Sequence, residues 1–309
     1  MNTPGAPLIE VKNLVAEYKV RGTTHRAVND ISFTVNQGEC VGFIGPNGAG
    51  KSTTMKTMMG FMFPTSGEVK LFGSKPGTTE ARRRLGYLPE VTLYYPFMKA
   101  KELLFLYGGL QGMSRAQLSE RIPPLLEQVG LGGKANIQLK EFSKGMQQRL
   151  GIAQAIIADP ELLIFDELSS GLDPVGRHDL RDVLLGLKKA GRTIFFSSHE
   201  LSEVESLCDR VVIINKGKVV AQAPIADLMK PLSIFEISYK SANGANPALA
   251  SAVRNGDGFQ ITTQGSQAFN EALAAIIESG GTVLETKAVT RSLEEYFIEL
   301  IRGKDAEKP

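Results

Sequence analysis

The densest chemistry in this 309-residue chain lies in Gly45-Pro46-Asn47-Gly48-Ala49-Gly50-Lys51-Ser52-Thr53. The pattern G-x-x-x-x-G-K-[ST] follows the apolar run Cys40-Val41-Gly42-Phe43-Ile44 and precedes a helix-compatible segment, 53–59. Strand, glycine loop and helix start form the context in which this pattern holds a nucleotide's phosphates. Glycines carry no Cβ, so backbone N–H groups curl around an anion, and the helix N-terminus adds partial positive charge. Lys51 brings a full charge to the outer phosphates, and the Ser52 hydroxyl is placed to ligate Mg²⁺.

Other reactive groups fall at the ends of apolar runs. Segment 85–90 reads as a strand that stops at Pro89 and ends on the carboxylate of Glu90. Leu162-Leu163-Ile164-Phe165 is apolar throughout, as a parallel strand buried on both faces must be, and ends in Asp166-Glu167. A further buried strand, 193–197, ends at Ser198-His199-Glu200. Open α/β sheets bind ligands at the carboxyl ends of their strands, so these groups and the glycine loop predict one catalytic edge. Asp166 suits Mg²⁺, Glu167 suits polarisation of an attacking water, and His199 suits the γ-phosphate or that water. Ser143 is an N-cap for a helix carrying Met146, Leu150, Ala153 and Ile157 on one face; its start offers a second anion site. Tyr18, ending the first strand, either stacks on a base or packs at a sheet edge.

Strands at 8–18 and 26–35 precede the loop, and a hairpin arm at 66–73 follows it. Helical spacing runs over 99–129, where Pro123-Pro124 predicts a kink or a restart. The apolar, aromatic segment 91–98 reads either as local packing or as a docking surface. A turn at 170–174 leads into a helix, 175–190, and strands at 210–214 and 218–221 complete the sheet. From 232 the composition changes: a linker-like loop at 241–250, strands at 234–239, 259–263 and 282–289, helices at 268–278 and 292–301, and a frayed 305–309. The expected organisation is a nucleotide-binding domain, 1–231, with a helical subdomain at about 91–158, and an α+β accessory domain, 232–309.

A formal charge of +2 creates no field that draws the chain to nucleic acid. Cys40 and Cys208 lack metal-ligand spacing and read as buried small side chains. Residues 1–7 lack the blocks of a signal peptide, and no apolar run spans a bilayer. The chain reads as soluble and cytoplasmic in type, reaching a membrane only through a partner.

The order of 45–53, 142–147, 162–167, 170–173 and His199 resembles the ATPase subunit of an ABC transporter, over roughly 8–229. The tail, ending Ser292-Leu293-Glu294-Glu295-Tyr296-Phe297, resembles the extension of single-domain ATPases that serve bacterial exporters. The resemblance implies an α/β fold, the P-loop NTPase ABC cassette: a parallel-sheet core, an antiparallel β subdomain and a helical subdomain, plus a small C-terminal α+β extension. It implies ATP and Mg²⁺ as cofactors and makes Tyr18 the adenine-stacking aromatic. Glu90 takes the Q-loop position as a metal ligand beside Ser52 and Asp166. Glu167 becomes the catalytic base, His199 the switch histidine and Asp173 the D-loop aspartate. Ser143 and Gly145 become signature residues that bind the γ-phosphate held by the opposite subunit. The implied partners are a second copy or a homologous ATPase, as a head-to-tail dimer, and a separate transmembrane permease that 91–98 helps to receive; no nucleic acid is expected. The implied location is the cytoplasmic face of the inner membrane.

Three departures stand out. The usual Leu-Ser-Gly-Gly-Gln reads Phe142-Ser143-Lys144-Gly145-Met146, which keeps the Ser and the second Gly and adds a cation. The Q-loop glutamine is Glu90, and Leu168-Ser169 replaces the common Pro-Thr, a change nothing in the sequence explains. A guanine-specific enzyme is disfavoured because Asn215-Lys216-Gly217-Lys218 has Lys where an Asp is required. A soluble ABC ATPase without a transport role is the alternative; one cassette and no sustained heptads speak against it. A carboxylate at position 90 is repelled by a triphosphate unless a metal neutralises it. Glu90→Gln is therefore expected to relax the Mg²⁺ requirement of ATP turnover; superimposable Mg²⁺ titrations would refute this.

Overall fold

The computed structural model describes residues 7–20, 22–241, 249 and 251–305. The chain divides into two compact units, Met1–Ile225 and Ala226–Pro309.

In the first unit, β1 (Ile9–Val20) and β2 (Thr23–Val35) pair antiparallel, and β3 (Cys40–Ile44) leads into α1 (Lys51–Met58). β4 (Ser66–Leu71) returns to the free edge of β1, giving the order β2-β1-β4. After α2 (Thr79–Arg83) and β5 (Leu85–Leu88) comes a helical arm: α3 (Ala100–Leu110), α4 (Arg115–Gln128), a 3₁₀ turn (Leu139–Glu141) and α5 (Lys144–Ile156). The chain then alternates through β6 (Leu162–Asp166), α6 (Pro174–Lys189), β7 (Thr193–Ser198), α7 (Leu201–Leu207), β8 (Arg210–Asn215) and β9 (Lys218–Pro224). Among the described residues these strands form one sheet, β5-β6-β7-β3-β8-β9, parallel except for the antiparallel β9.

Every residue of β3, β6 and β7 is buried, which is why their stretches Cys40–Ile44, 162–165 and 194–196 carry no charged residue and read as buried strands. The antiparallel sheet packs on the parallel one through Phe33, Phe43 and Phe195, with ring centroids 5.4–5.7 Å apart. Met55 and Met58 of α1 join that core with no exposure, so the helix under the glycine loop is anchored from below.

In the second unit, α8 (Ile225–Leu228) begins at the boundary and is followed by β10 (Pro231–Lys240), β11 (Val253–Asn255), β12 (Gly258–Gln264), α9 (Ser266–Glu278), β13 (Thr282–Thr290) and α10 (Leu293–Asp305). The antiparallel order is β11-β12-β10-β13, with Ile237, Tyr239, Phe259, Ile261, Ala272 and Ile276 as its core.

Three local expectations change. α1 starts at Lys51 rather than at residue 53, because Gly50, at φ 110°, already turns the chain into the helix. α4 runs through Pro123-Pro124 without a restart. Both prolines are exposed, so the carbonyls they leave unpaired face solvent, while Ile122, Leu125 and Leu126 hold the buried face. β11 was not anticipated, since its three residues are all exposed and carry no apolar signal. The segment 242–248, most of the expected linker-like loop, lies outside the described residues, as do 306–309 at the expected frayed end.

The arm is seated on the core where α5 crosses β5. A Cβ on Gly86 would collide with the carbonyl of Ala155 and stand 2.8 Å from Leu163 Cδ2. Gly86→Ala is expected to cost roughly 1–3 kcal/mol of stability, the usual range for overpacking. A denaturant midpoint equal to wild type would show that the two elements part freely.

Candidate active site

The glycine loop joins β3 to α1 at the carboxyl end of the parallel sheet. The N-cap of α1 is Gly50, which provides no side-chain hydrogen bond, so the first-turn N–H groups are left for an anion. A Cβ at Gly50 would lie 2.5 Å from the Ala27 carbonyl, so the tight approach of loop to β2 admits glycine alone. Above this loop is a cavity of about 360 Å³. Its walls include Tyr18 and Ala27, the loop residues Pro46 to Thr53, and Glu90, Glu167, Ser170 and His199. Residues from six separate segments thus converge on one space. Gly45 lies just behind, its carbonyl accepting from Lys51 Nζ at 2.7 Å.

Glu167 is the centre of the charge arrangement. Its Oε1 is 3.3 Å from Lys51 Nζ and its Oε2 is 2.5 Å from His199 Nδ1. Lys51 and Glu167 are almost wholly buried, whereas the His199 side chain is 49% exposed, so the histidine closes the solvent side. Glu167 sits at φ 50°, a conformation uncommon for a residue with a Cβ, and its N–H is shared between Ser197 Oγ and O at 3.0 and 3.2 Å. That turn aims the Glu167 carboxylate away from the strand direction and toward Lys51.

Asp166 is the last residue of β6 and lies beside Ser197 in register on β7. Ser197 Oγ donates to Asp166 Oδ1 at 2.6 Å. Burial raises the Asp166 carboxyl above the usual range, the Ser197 hydrogen bond opposes that, and the Glu167 charge adds to it. Ser197, invisible to the motif reading, was foreshadowed only by a hydroxyl at the end of an apolar strand. Ser169 Oγ donates to Glu203 Oε2 at 2.8 Å, and Leu168 is buried. The Leu168-Ser169 departure therefore ties the turn after Glu167 to α7.

Some expected residues stand apart. Ser143 and Gly145 do not line this cavity: Ser143 Oγ accepts from Met146 N at 3.2 Å, capping α5 with its start exposed. Asp173 Oδ1 accepts from Gly176 N at 2.8 Å, capping α6. Tyr18 is 44% exposed and stacks on His25 at 6.1 Å between centroids, a neighbour the sequence did not suggest.

The phosphate loop, the parallel sheet and the carboxylates at its edge define a P-loop nucleotide hydrolase of α/β class. The comparisons narrow the class. Residues 28–170 match the ABC transporter family profile. The chain is 39% identical to an ABC transporter ATP-binding protein of Nostoc sp. over 279 residues, 89% of this chain and 83% of that one. It is 35% identical to the bacitracin transport ATP-binding protein of Bacillus licheniformis, covering 91% of this chain and 94% of the relative. A solved ATP-binding subunit of an ABC transporter superposes with TM-score 0.64 at 36% identity, over 72% of this chain and 91% of that one. The chain belongs to the ABC transporter ATP-binding proteins and is an ATPase that binds ATP.

Burying the Asp166 carboxylate without a cation is a local cost that neutralisation removes. Asp166→Asn is expected to raise the melting midpoint by about 2–4 °C at pH 7, the effect of ~1 kcal/mol in a unit of this size. A raised carboxyl destabilises the fold most when ionised, so this gain is expected to shrink as pH falls through the Asp166 titration. A midpoint below wild type at pH 7 would refute the burial argument.

Proposed function

We propose that two such cassettes, this chain with itself or with a homologous ATPase, close head to tail on two ATP molecules and drive a separate permease. The observation that carries this is the disposition of α5. Its start is exposed, yet Ser143 and Gly145 do not line the chain's own nucleotide cavity. An anion-binding helix start pointing away from the nearest phosphate cradle is explained when the phosphate belongs to another chain. A lone chain then binds ATP but hydrolyses it slowly.

Within that arrangement the phosphates draw Lys51 off Glu167. Glu167 accepts a proton from the attacking water, and His199, hydrogen-bonded to Glu167, orients it. Tyr18, which lines the cavity and is backed by its stacking partner His25, provides the aromatic face for the adenine. The donor set fits Mg²⁺: Ser52 and Glu90 line the cavity, and the Asp166 carboxylate, raised by burial, is relieved by a nearby cation. Among the described residues no cluster of three or more His, Cys, Asp or Glu is arranged to hold a metal, so the ion would share its oxygens with phosphate. When bound, it neutralises charge on the phosphates.

No helix of the described residues is long and apolar enough to cross a membrane; in this reading, which the ABC transporter relatives support, a separate permease provides the membrane path and the chain docks on its cytoplasmic face. Segment 91–98 provides a surface for it: Leu93, Tyr95 and Phe97 are 90%, 62% and 68% exposed, while Tyr94 is anchored by a 2.8 Å hydrogen bond to Gln154. Export is supported by one relative, a Nod factor export ATP-binding protein of Cupriavidus metallidurans, 38% identical over 66% of this chain and 68% of its own length. The bacitracin alignment is long enough to reach into the second unit, which supports a shared C-terminal extension.

Two measurements test the reading. ATPase rate is expected to rise more steeply than linearly with protein concentration, and Glu167→Gln to bind ATP while losing turnover by about 100-fold or more, as for a general base. A linear rate, or normal turnover in Glu167→Gln, overturns the dimer or the base. Phe97→Asp is expected to keep ATP binding and to lose a co-purifying multi-spanning membrane protein. Recovery of the unaltered chain with ribosomes or nucleic acid instead would favour the non-transport ATPase.

A further inference from the structure

A second cavity, of about 380 Å³, opens between the segment after β5 and the head of α5. Glu90 and Ser170 line it and also line the nucleotide cavity, so the two spaces share a wall. On α5 the lining residues are Lys144, Gln147 and Gln148, at spacings that place them on one helix face. Gln148 is only 4% exposed, and its Oε1 has no hydrogen-bond partner. Lys144 provides the one ammonium among the lining residues. Its Nζ packs where a Cβ on Gly171 would stand, so the side chain is already folded toward the turn that carries Ser170.

The two charges in this cavity are both departures from the pattern the chain resembles. That pattern has neutral Gln and Gly at positions 90 and 144; this chain has a carboxylate and an ammonium. The change leaves the net charge at the shared wall where it was, provided the two groups act together. A lone carboxylate at position 90 would repel a triphosphate; a cation held within the screening distance of about 8 Å cancels much of that field.

We infer that, in the metal-free site, Lys144 is the positioning residue for Glu90: its ammonium draws the Glu90 carboxylate toward the second cavity and away from the triphosphate, until Mg²⁺ takes that carboxylate over. The inference rests on the ATP site described above. It assigns Lys144 a role within its own chain, acting on nucleotide only through Glu90.

The test is a double-mutant cycle on the affinity for a fluorescent ATP analogue, measured in EDTA at dilute protein so that neither metal nor a second chain contributes. Lys144→Gln is expected to weaken binding about fivefold when Glu90 is present and to change nothing in the Glu90→Gln background, the non-additivity of coupled neighbours. Lys144→Arg is expected to bind as the unaltered protein does. Equal losses in both backgrounds overturn the inference, since Lys144 would then act on phosphate directly. So does an absence of effect in both, or a loss that tracks a lowered melting midpoint in both. If the unaltered chain binds no analogue, the ATP site falls and takes this inference with it; parallel losses from a chain that does bind remove the Lys144 role alone.

Discussion

The structure depends on keeping a carboxylate charged at the end of a strand that excludes water. β6 is buried at every position, and its final residue, Asp166, and the following Glu167 are only 6% and 8% exposed. Anions so placed are tolerated only with compensation. Glu167 receives it from Lys51 and His199; Asp166 receives a hydroxyl from Ser197 and remains poorly solvated. Each compensating group comes from a different element: α1, the end of β7, and the loop after it. The order of strands in the parallel sheet is what brings them to one edge.

This constraint also gives the contacts of Lys51 their meaning. Lys51 bridges the Gly45 carbonyl and Glu167, so in the proposed mechanism the cation that neutralises the carboxylate is also the one that phosphates attract, and ligand binding and release of Glu167 become one event. The unfavourable φ of Glu167 and the burial of Asp166 are local costs that the Phe33-Phe43-Phe195 core and the methionines of α1 offset from beneath.

Much of this was legible in the residue order. Parallel strands buried on both faces must be apolar throughout, so β3, β6 and β7 declared themselves, and with them the edge at which Glu90, Glu167 and His199 meet. What escaped notice had no periodic signal. Ser197 is one hydroxyl among apolar neighbours, β11 is exposed throughout, and the pair His25 and Tyr18 depends on cross-strand register. At Pro123-Pro124 the helix does not restart, because sequence records that Pro removes a hydrogen bond and not whether the surrounding burial carries the helix on.

By itself the sequence determined the phosphate cradle, the buried strands and the charges at their ends, because local geometry and hydrophobic period are written in neighbouring residues. Only the tertiary structure decided which of those charges touch. That Lys51 meets Glu167, that Ser169 ties to Glu203, and that Glu90 shares a cavity with Lys144 all follow from pairings across long stretches of chain. Such pairings are fixed by the order of strands in the sheet and by the seating of α5 on β5. No run of neighbouring residues encodes them, since they arise when distant elements bury their apolar faces together.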